Sequence, residues 1–224
     1  MSKVLKILRN AFISYVLITV SWVLVYKWID VPFTYLMLSK KMTSDTEIKH
    51  KWVPTEKISD ELKLAVICSE DQNFMTHNGF DTKAIEKAVD EYKKSKKLRG
   101  ASTITQQTAK NVFLWPERSW LRKGMESYFT FLIELLWSKE RILEVYLNSI
   151  EMGDQVFGAQ AASKFWFNKE ASNINRDEAA AIAAILPNPI QYIPNPPSPY
   201  VKQRKAWIKT QMYNYGKLNI KNEQ

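Results

Sequence analysis

The stretch LKLAVICSEDQNFMTHNGFD, Leu62 to Asp81, carries the reading of the fold. Its first seven residues are apolar apart from one lysine. With Ser59 ahead as a cap, Leu62, Ala65 and Val66 fall at helical spacing and predict a helix ending near Glu70. The second half is polar, with Glu70, Asp71, His77 and Asp81 gathered around a lone Phe74. Asp81 is placed to cap a second helix, with Ile85, Ala88, Val89 and Tyr92 along one face. A surface loop needs no such set of ionisable groups. A catalytic loop does, because a proton-transferring carboxylate works best where water is scarce.

The same periodicity continues through the chain. Ser102 opens a predicted helix to about Phe113. SWLRKGMESYFTFLIELLW and KERILEVYLNSI are two more, NRDE at Asn175–Glu178 reads as a capping box for AAAIAAIL, and a last helix spans roughly residues 199–215. Between them lie a basic loop, KKSKKLRG, and a proline-rich wrap, PNPIQYIPNPPSPY. Period-two alternation is rare, and six glycines leave little chemistry for hairpins. The expected fold class is mainly α.

The chain has 224 residues, 46% of them hydrophobic, which suffices for one domain and a small extra element. Thirty-two Lys+Arg against 23 Asp+Glu leave a net charge of +9 and point to an anionic partner. The single cysteine, Cys68, excludes an intrachain disulfide and reads as a small core residue. Residues 1–10 are basic. Residues 11–29 are apolar enough for a membrane helix, with no A-x-A-like cleavage site after them, and are expected to be a retained anchor. Lys3, Lys6 and Arg9 then place the N-terminus in the cytoplasm and the rest on the outer face of the membrane. A juxtamembrane piece, residues 30–52, a globular domain, 53–215, and a tail, 216–224, complete the expected organisation. For an exported domain, phospholipid or a lipid-linked phosphate is a better anionic partner than nucleic acid.

Two more constellations carry chemistry. In RGASTITQQTAKN, Ser102, Thr103 and the N–H groups of a helix start suit an oxyanion, and Gln107, Lys110 and Asn111 share a face behind them, near Gln106. In RSWLRKGMES, Arg122 and Glu126 stand at i, i+4 beside Arg118 and Lys123. A cationic cluster around one carboxylate suits phosphate or a metal-bound diphosphate. Two carboxylates, Glu70 and Glu126, with a cationic, hydroxyl-rich segment between them suit glycosyl chemistry: the cations serve a diphosphate leaving group, or, where the leaving group is a sugar, the second carboxylate acts on the anomeric carbon. His77 and His50 have no companion at i+3 or i+4 for a metal.

These segments resemble the motifs of the peptidoglycan glycosyltransferases (glycosyltransferase family 51, the glycosyltransferase domain of class A penicillin-binding proteins), in its monofunctional biosynthetic form. EDQNFMTHNGFD is similar to the first motif, GASTITQQTAKN to the second, RKGME to the third, ILEVYLNSIEMG to the fourth and AAILPNPIQYIPNP to the last, in order, over residues 53–207. The S-x-x-K and K-T-G patterns of transpeptidases do not follow. Two departures stand out: Gly153 is followed by Asp154 and Gln155 where the family often has Gly-x-Gly, and AASKFWFNK carries Trp166 and Asn168.

The resemblance implies a lysozyme-like helical domain with a small membrane-proximal lobe. It also implies polymerisation of lipid II into β-1,4-linked glycan strands with an undecaprenyl diphosphate leaving group. It makes Glu70 the base and Glu126 the organiser of the diphosphate site, with a divalent metal, Mg²⁺ or Mn²⁺, held at Glu126. Lys110, Arg118, Arg122 and Lys123 neutralise the leaving group, and Ser102, Thr103, Gln106, Gln107 and Asn111 line the donor site. Asp71, Phe74, His77, Gly79, Asp81, Tyr146 and Asn148 support the motifs. The implied partners are lipid II, the growing strand, membrane lipids and other cell-wall synthases. Residues 112–115 and 119–121 are expected to form an apolar lip that dips into the bilayer. A lysozyme-like hydrolase and a non-enzymatic scaffold are the rival readings: the first needs no cations at Glu126, the second neither carboxylate.

Overall fold

The computed structural model describes residues 3–96 and 100–219. Lys97–Arg99 of the basic loop and the last five residues of the tail lie outside them. Among the described residues are ten α-helices and one small sheet, so the chain is mainly α. The helices are α1 (Lys3–Trp28), α2 (Tyr35–Thr43), α3 (Asp60–Glu70), α4 (Thr82–Ser95), α5 (Ile104–Phe113), α6 (Trp120–Leu136), α7 (Lys139–Ser149), α8 (Ala159–Phe167), α9 (Arg176–Ile185) and α10 (Pro199–Tyr215). Strands β1 (Lys49–His50), β2 (Glu151–Gly153) and β3 (Val156–Phe157) lie in the order β1-β3-β2, the first pair parallel and the second antiparallel.

Local chemistry sets the helix starts. The Ser59 hydroxyl accepts from the Leu62 N–H (3.1 Å), the Asp81 carboxylate from that of Ala84 (2.9 Å), and Asn175 and Glu178 form the expected capping box. One boundary differs: Thr103, not Ser102, caps α5, with Gln106 completing a box at N3. Two short polar side chains stand side by side there. The one whose hydroxyl reaches the N3 N–H (3.2 Å) becomes the cap.

Two helix groups make the core. In one, α3 packs on α9 and α10. Residues Ala179–Ile185 of α9 are all buried, and their alanines let the neighbouring backbones approach closely. In the other, α5 packs on α6 and α7, with Phe113 stacked on Phe129 at 4.8 Å between ring centres. Phe74, fully buried, plugs the α3–α4 loop onto this core, with the Lys139 ammonium 4.6 Å from its ring centre. By contrast α4 buries no residue, and Ile85, Val89 and Tyr92 are exposed. Its amphipathic pattern is real, but its apolar face has no partner among the described residues.

The segment before residue 53 is tied to the domain. β1 joins β3, the Lys40 ammonium pairs with Glu151 (2.5 Å), and Asn148 holds the Val53 N–H and carbonyl. Helix α1 is long and apolar enough to cross a membrane by length and composition. Its second half rests on the domain: Thr19 bonds Tyr128 (2.7 Å), Trp22 lies edge-on to Phe113 and Phe129, and the Trp137 indole donates to the Val23 carbonyl (2.9 Å). The expected lip divides in two. Val112, Phe113 and Leu114 are core, Phe113 lying between the aromatic rings of α1 and α6, whereas Trp120 and Leu121 are 94% and 70% exposed.

Both departures from the family pattern have local explanations. Gln155 adopts a left-handed backbone (φ 60°), the conformation a glycine would take there more readily. Asn168 ends α8 in the same region (φ 53°), which asparagine tolerates well, and the Trp166 indole donates to the Met152 carbonyl (2.8 Å).

Candidate active site

Glu70 is the last residue of α3, where a buried helix meets the polar loop. Its side chain faces a cleft of about 510 Å³, lined by Asp71, Asp81, Lys83, Ser102, Gln107 and Arg204 among others. Each carboxylate oxygen has its own partner. Gln107 Nε2 donates to Oε2 (3.0 Å), and Ser69 Oγ lies 3.2 Å from Oε1. The Tyr146 hydroxyl donates to Gln107 Oε1 (3.2 Å), which turns the amide so that its NH₂ meets Glu70. Tyr146 is fully buried, and burial, followed by the charges of Glu70 and Asp71, lifts its phenol well above the usual range. It therefore stays protonated, as a donor must.

The neighbouring loop is held by groups of the same motif. Asp71 accepts from His77 Nε2 (2.8 Å) and from the Ile104 N–H at the start of α5 (3.0 Å). Thr103 Oγ1 donates to the Gly79 carbonyl (2.6 Å). Asn73 donates to Asp81 (2.8 Å). Burial raises the Asp81 pKa, but the Ala84 N–H, the Asn73 amide and His77 outweigh it, leaving this cap below the usual carboxylate range. Asp71, steadied by His77, and Gly79 thus fasten the α3–α4 loop to α5, while Asp81 ties the loop to the start of α4. Asn148, further off, fastens the segment before α3.

The second half of the site lies one turn along α5. Lys110 follows Gln107 by three residues, about 5 Å along the axis. Burial lowers the Lys110 pKa, Glu126 opposes this, and Arg122, Arg118 and Lys123 add to it. The four cations and Glu126 are therefore one electrostatic cluster between α5 and α6. Glu126 is 4% exposed, with Arg122 Nη1 on Oε2 (3.1 Å) and Lys123 Nζ on Oε1. Arg122 is itself fixed, its Nε donating to the Glu117 carbonyl (2.9 Å). Among the described residues no group of three or more His, Cys, Asp or Glu is placed to hold a metal.

The chain thus brings together, along one face of α5, Glu70, Gln107 and the cations around Glu126. Ser102 lies at the mouth of the cleft and Asn111 beside Lys110. Thr103 and Gln106 are engaged in capping α5 and are buried. Arg204, from α10, has its Nη2 3.8 Å from Glu70 Oε1 and 3.1 Å from Ser69 Oγ. Nothing near it in sequence marks it, since it comes from 134 residues away and from no motif. Arginine in an otherwise ordinary helix is the only signal it leaves.

A carboxylate set in a cleft, beside a nest of cations, is what removal of a proton and departure of an anionic group require. The transglycosylase family model matches residues 38–213. The chain belongs to the transglycosylase family. Similar proteins include the biosynthetic peptidoglycan transglycosylase of Pseudomonas entomophila, 50% identical over 221 residues, 96% of this chain and 94% of that one. The proteins of the same name from Bacteroides thetaiotaomicron and Shewanella oneidensis are 52% and 54% identical over 211 and 176 residues. These alignments cover 92% and 79% of this chain, and 85% and 76% of the relatives. As a member of this family the chain is an enzyme, a peptidoglycan glycosyltransferase of cell-wall synthesis. The transglycosylase match begins at residue 38, within α2, and takes in β1, so residues 38–52 of the tied-down segment fall within the family's domain.

Proposed function

We propose that the chain polymerises lipid II, with Glu70 as general base and the Lys110–Arg122–Lys123 cluster as the seat of the leaving diphosphate. Glu70 takes the proton from the 4-hydroxyl of the incoming disaccharide. That oxygen bonds to the anomeric carbon of the growing strand, and the bond from that carbon to the diphosphate oxygen breaks. Cations already in place receive the charge that develops, without reorganising at the moment of reaction. The observation that carries this reading is the shared face of α5, where Gln107 meets Glu70 and Lys110 meets the Glu126 cluster one turn later. A hydrolase acting on neutral glycan has no use for that cluster.

A divalent ion, Mg²⁺ or Mn²⁺, enters with the substrate, since such an ion binds through one or two carboxylates plus phosphate oxygens. Glu126 would hold it at the oxygen now covered by Lys123, whose side chain is 46% exposed and free to withdraw. The ion would neutralise part of the diphosphate charge. The α1 helix is the membrane anchor in this reading, its basic end in the cytoplasm and the catalytic domain on the outer face, beside the lipid-linked substrate.

Product analysis with purified full-length protein, lipid II and Mg²⁺ in detergent tests the proposal. Glycan strands are expected from the wild type. Glu70→Gln should lower their rate by about 10²–10⁴-fold, the usual contribution of a general base. A Glu70→Gln protein that polymerises at the wild-type rate would overturn the assignment of the base.

A further inference from the structure

We infer that Arg204, on α10, is a positioning residue for Glu70. The inference rests on Glu70 being the base. The terminal torsion of a glutamate is broad and roughly two-fold, so the plane of its carboxylate is set by its partners and not by its own rotamer. A base needs that plane fixed, with one lone pair aimed at the hydroxyl. Gln107 holds Oε2 from α5. On the other oxygen, Ser69 alone would be a weak clamp, because its hydroxyl also lies 3.3 Å from the Ala183 carbonyl and has one proton to share. Arg204 resolves this competition. Its Nη2 donates to Ser69 Oγ (3.1 Å) and stands 3.8 Å from Glu70 Oε1, so the guanidinium both steadies the serine and attracts the carboxylate.

The guanidinium is itself held. Ser198 caps α10, Trp207 lies one turn on with its ring centre 6.0 Å from Arg204 Cζ, and Gln72 of the loop bonds Gln211 (3.2 Å). Arg204 Nε is buried without a hydrogen-bond partner. The arrangement makes the last helix part of the catalytic apparatus: α5 bonds one oxygen of Glu70 directly, and α10 steadies the other through Ser69.

Arg204→Met and Arg204→Lys test this in the full-length protein, with lipid II as substrate, each also placed in a Glu70→Asp background. For Arg204→Met we expect kcat to fall about tenfold or more, the size of effect that misplaced reacting groups produce, with KM within about twofold. Arg204→Lys should recover only part, because an ammonium on a shorter stem keeps the charge but not the position that Nη2 takes between Ser69 and Glu70. Melting temperatures should stay close to wild type. In the Glu70→Asp background, where the shorter carboxylate has already withdrawn from the guanidinium, the further loss from Arg204→Met should shrink to about threefold or less. A raised KM at unchanged kcat would overturn the inference by making Arg204 a substrate ligand. A loss that is the same in both backgrounds, or that follows melting temperature, would overturn it by making the role structural. A dead Glu70→Gln beside a fully active Arg204→Met would remove Arg204 alone. A fully active Glu70→Gln would remove the base and, with it, the inference.

Discussion

Lys110 shows how the site balances charge against burial. It is the lysine of the cluster set into the core side of α5, and burial lowers its pKa, with Glu126 opposing and three other cations adding to the fall. Before substrate arrives, then, the cluster is already crowded with positive charge, and a diphosphate relieves it. On the proposed reading Lys110 would bind the anion fully below its lowered pKa and lose that charge as pH rises through it, at a lower pH than an ordinary lysine near 10.4. We expect the affinity for a lipid diphosphate to decline on raising the pH from about 7 to 10, and Lys110→Arg, whose guanidinium stays charged, to flatten that decline. Binding isotherms across this range are the check. The same pH dependence in both proteins would mean that Lys110 does not meet the phosphate. Cys68 offers a contrast at the same scale. It is buried, its thiol pushed up to about 11 by desolvation, with Arg176 opposing, and it belongs to the core as its apolar neighbours foretold.

The elements divide by how local their causes are. Ser59, Asp81 and the Asn175–Glu178 box were legible because a cap is decided within four residues. The paired Arg122 and Glu126 were legible because i, i+4 spacing brings them together on any helix. What the sequence did not disclose depends on which helices meet. Arg204 reaches Glu70 only because α10 lies on α3, and Tyr146 orients Gln107 only because α7 lies on α5. Thr103 and Gln106 looked like ligands, yet their hydrogen bonds go to the start of α5 and to Gly79. Gly79 marks the tightest of these meetings. Its φ is +82°, and a Cβ there would stand 2.7 Å from Thr130 Cγ2 and 2.9 Å from Glu134 Cγ on α6. Gly79→Ala therefore combines a left-handed backbone with overpacking. We expect it to cost about 2–4 kcal/mol, read as a lower denaturant midpoint with an unchanged slope. It should lower activity as well, since the loop it displaces carries Asp71 and His77. A variant as stable as wild type would mean that α6 yields to the methyl group without effect on the loop.

At the scale of the molecule, α1 and the helices that carry the site form one packed unit. Along α1, Tyr15 meets Met125 and Tyr128, Trp22 meets Phe129, and Val23 meets Trp137, so α1 and α6 run side by side in the same direction. The start of α6 then lies level with the half of α1 farthest from the domain's own connection to it. That places Trp120 and Leu121, 94% and 70% exposed, beside the first half of α1, the helix long and apolar enough to cross a membrane. An indole beside a leucine, with Arg118, Arg122 and Lys123 around them, has the character of a surface that sits among lipid head groups. The placement suits the proposed chemistry, in which a diphosphate on a lipid tail would reach the cations of α6 without leaving the membrane surface. We expect Trp120→Ala/Leu121→Ala to keep the melting temperature, since neither side chain is buried. The variant should lose rate with lipid II in anionic vesicles by about tenfold, and much less with a short-tailed analogue in detergent. Bromine-labelled phospholipids should quench fluorescence in wild type more than in the variant. Equal rates in vesicles, with equal quenching, would take Trp120 and Leu121 out of the membrane and leave α1 as the sole contact with it.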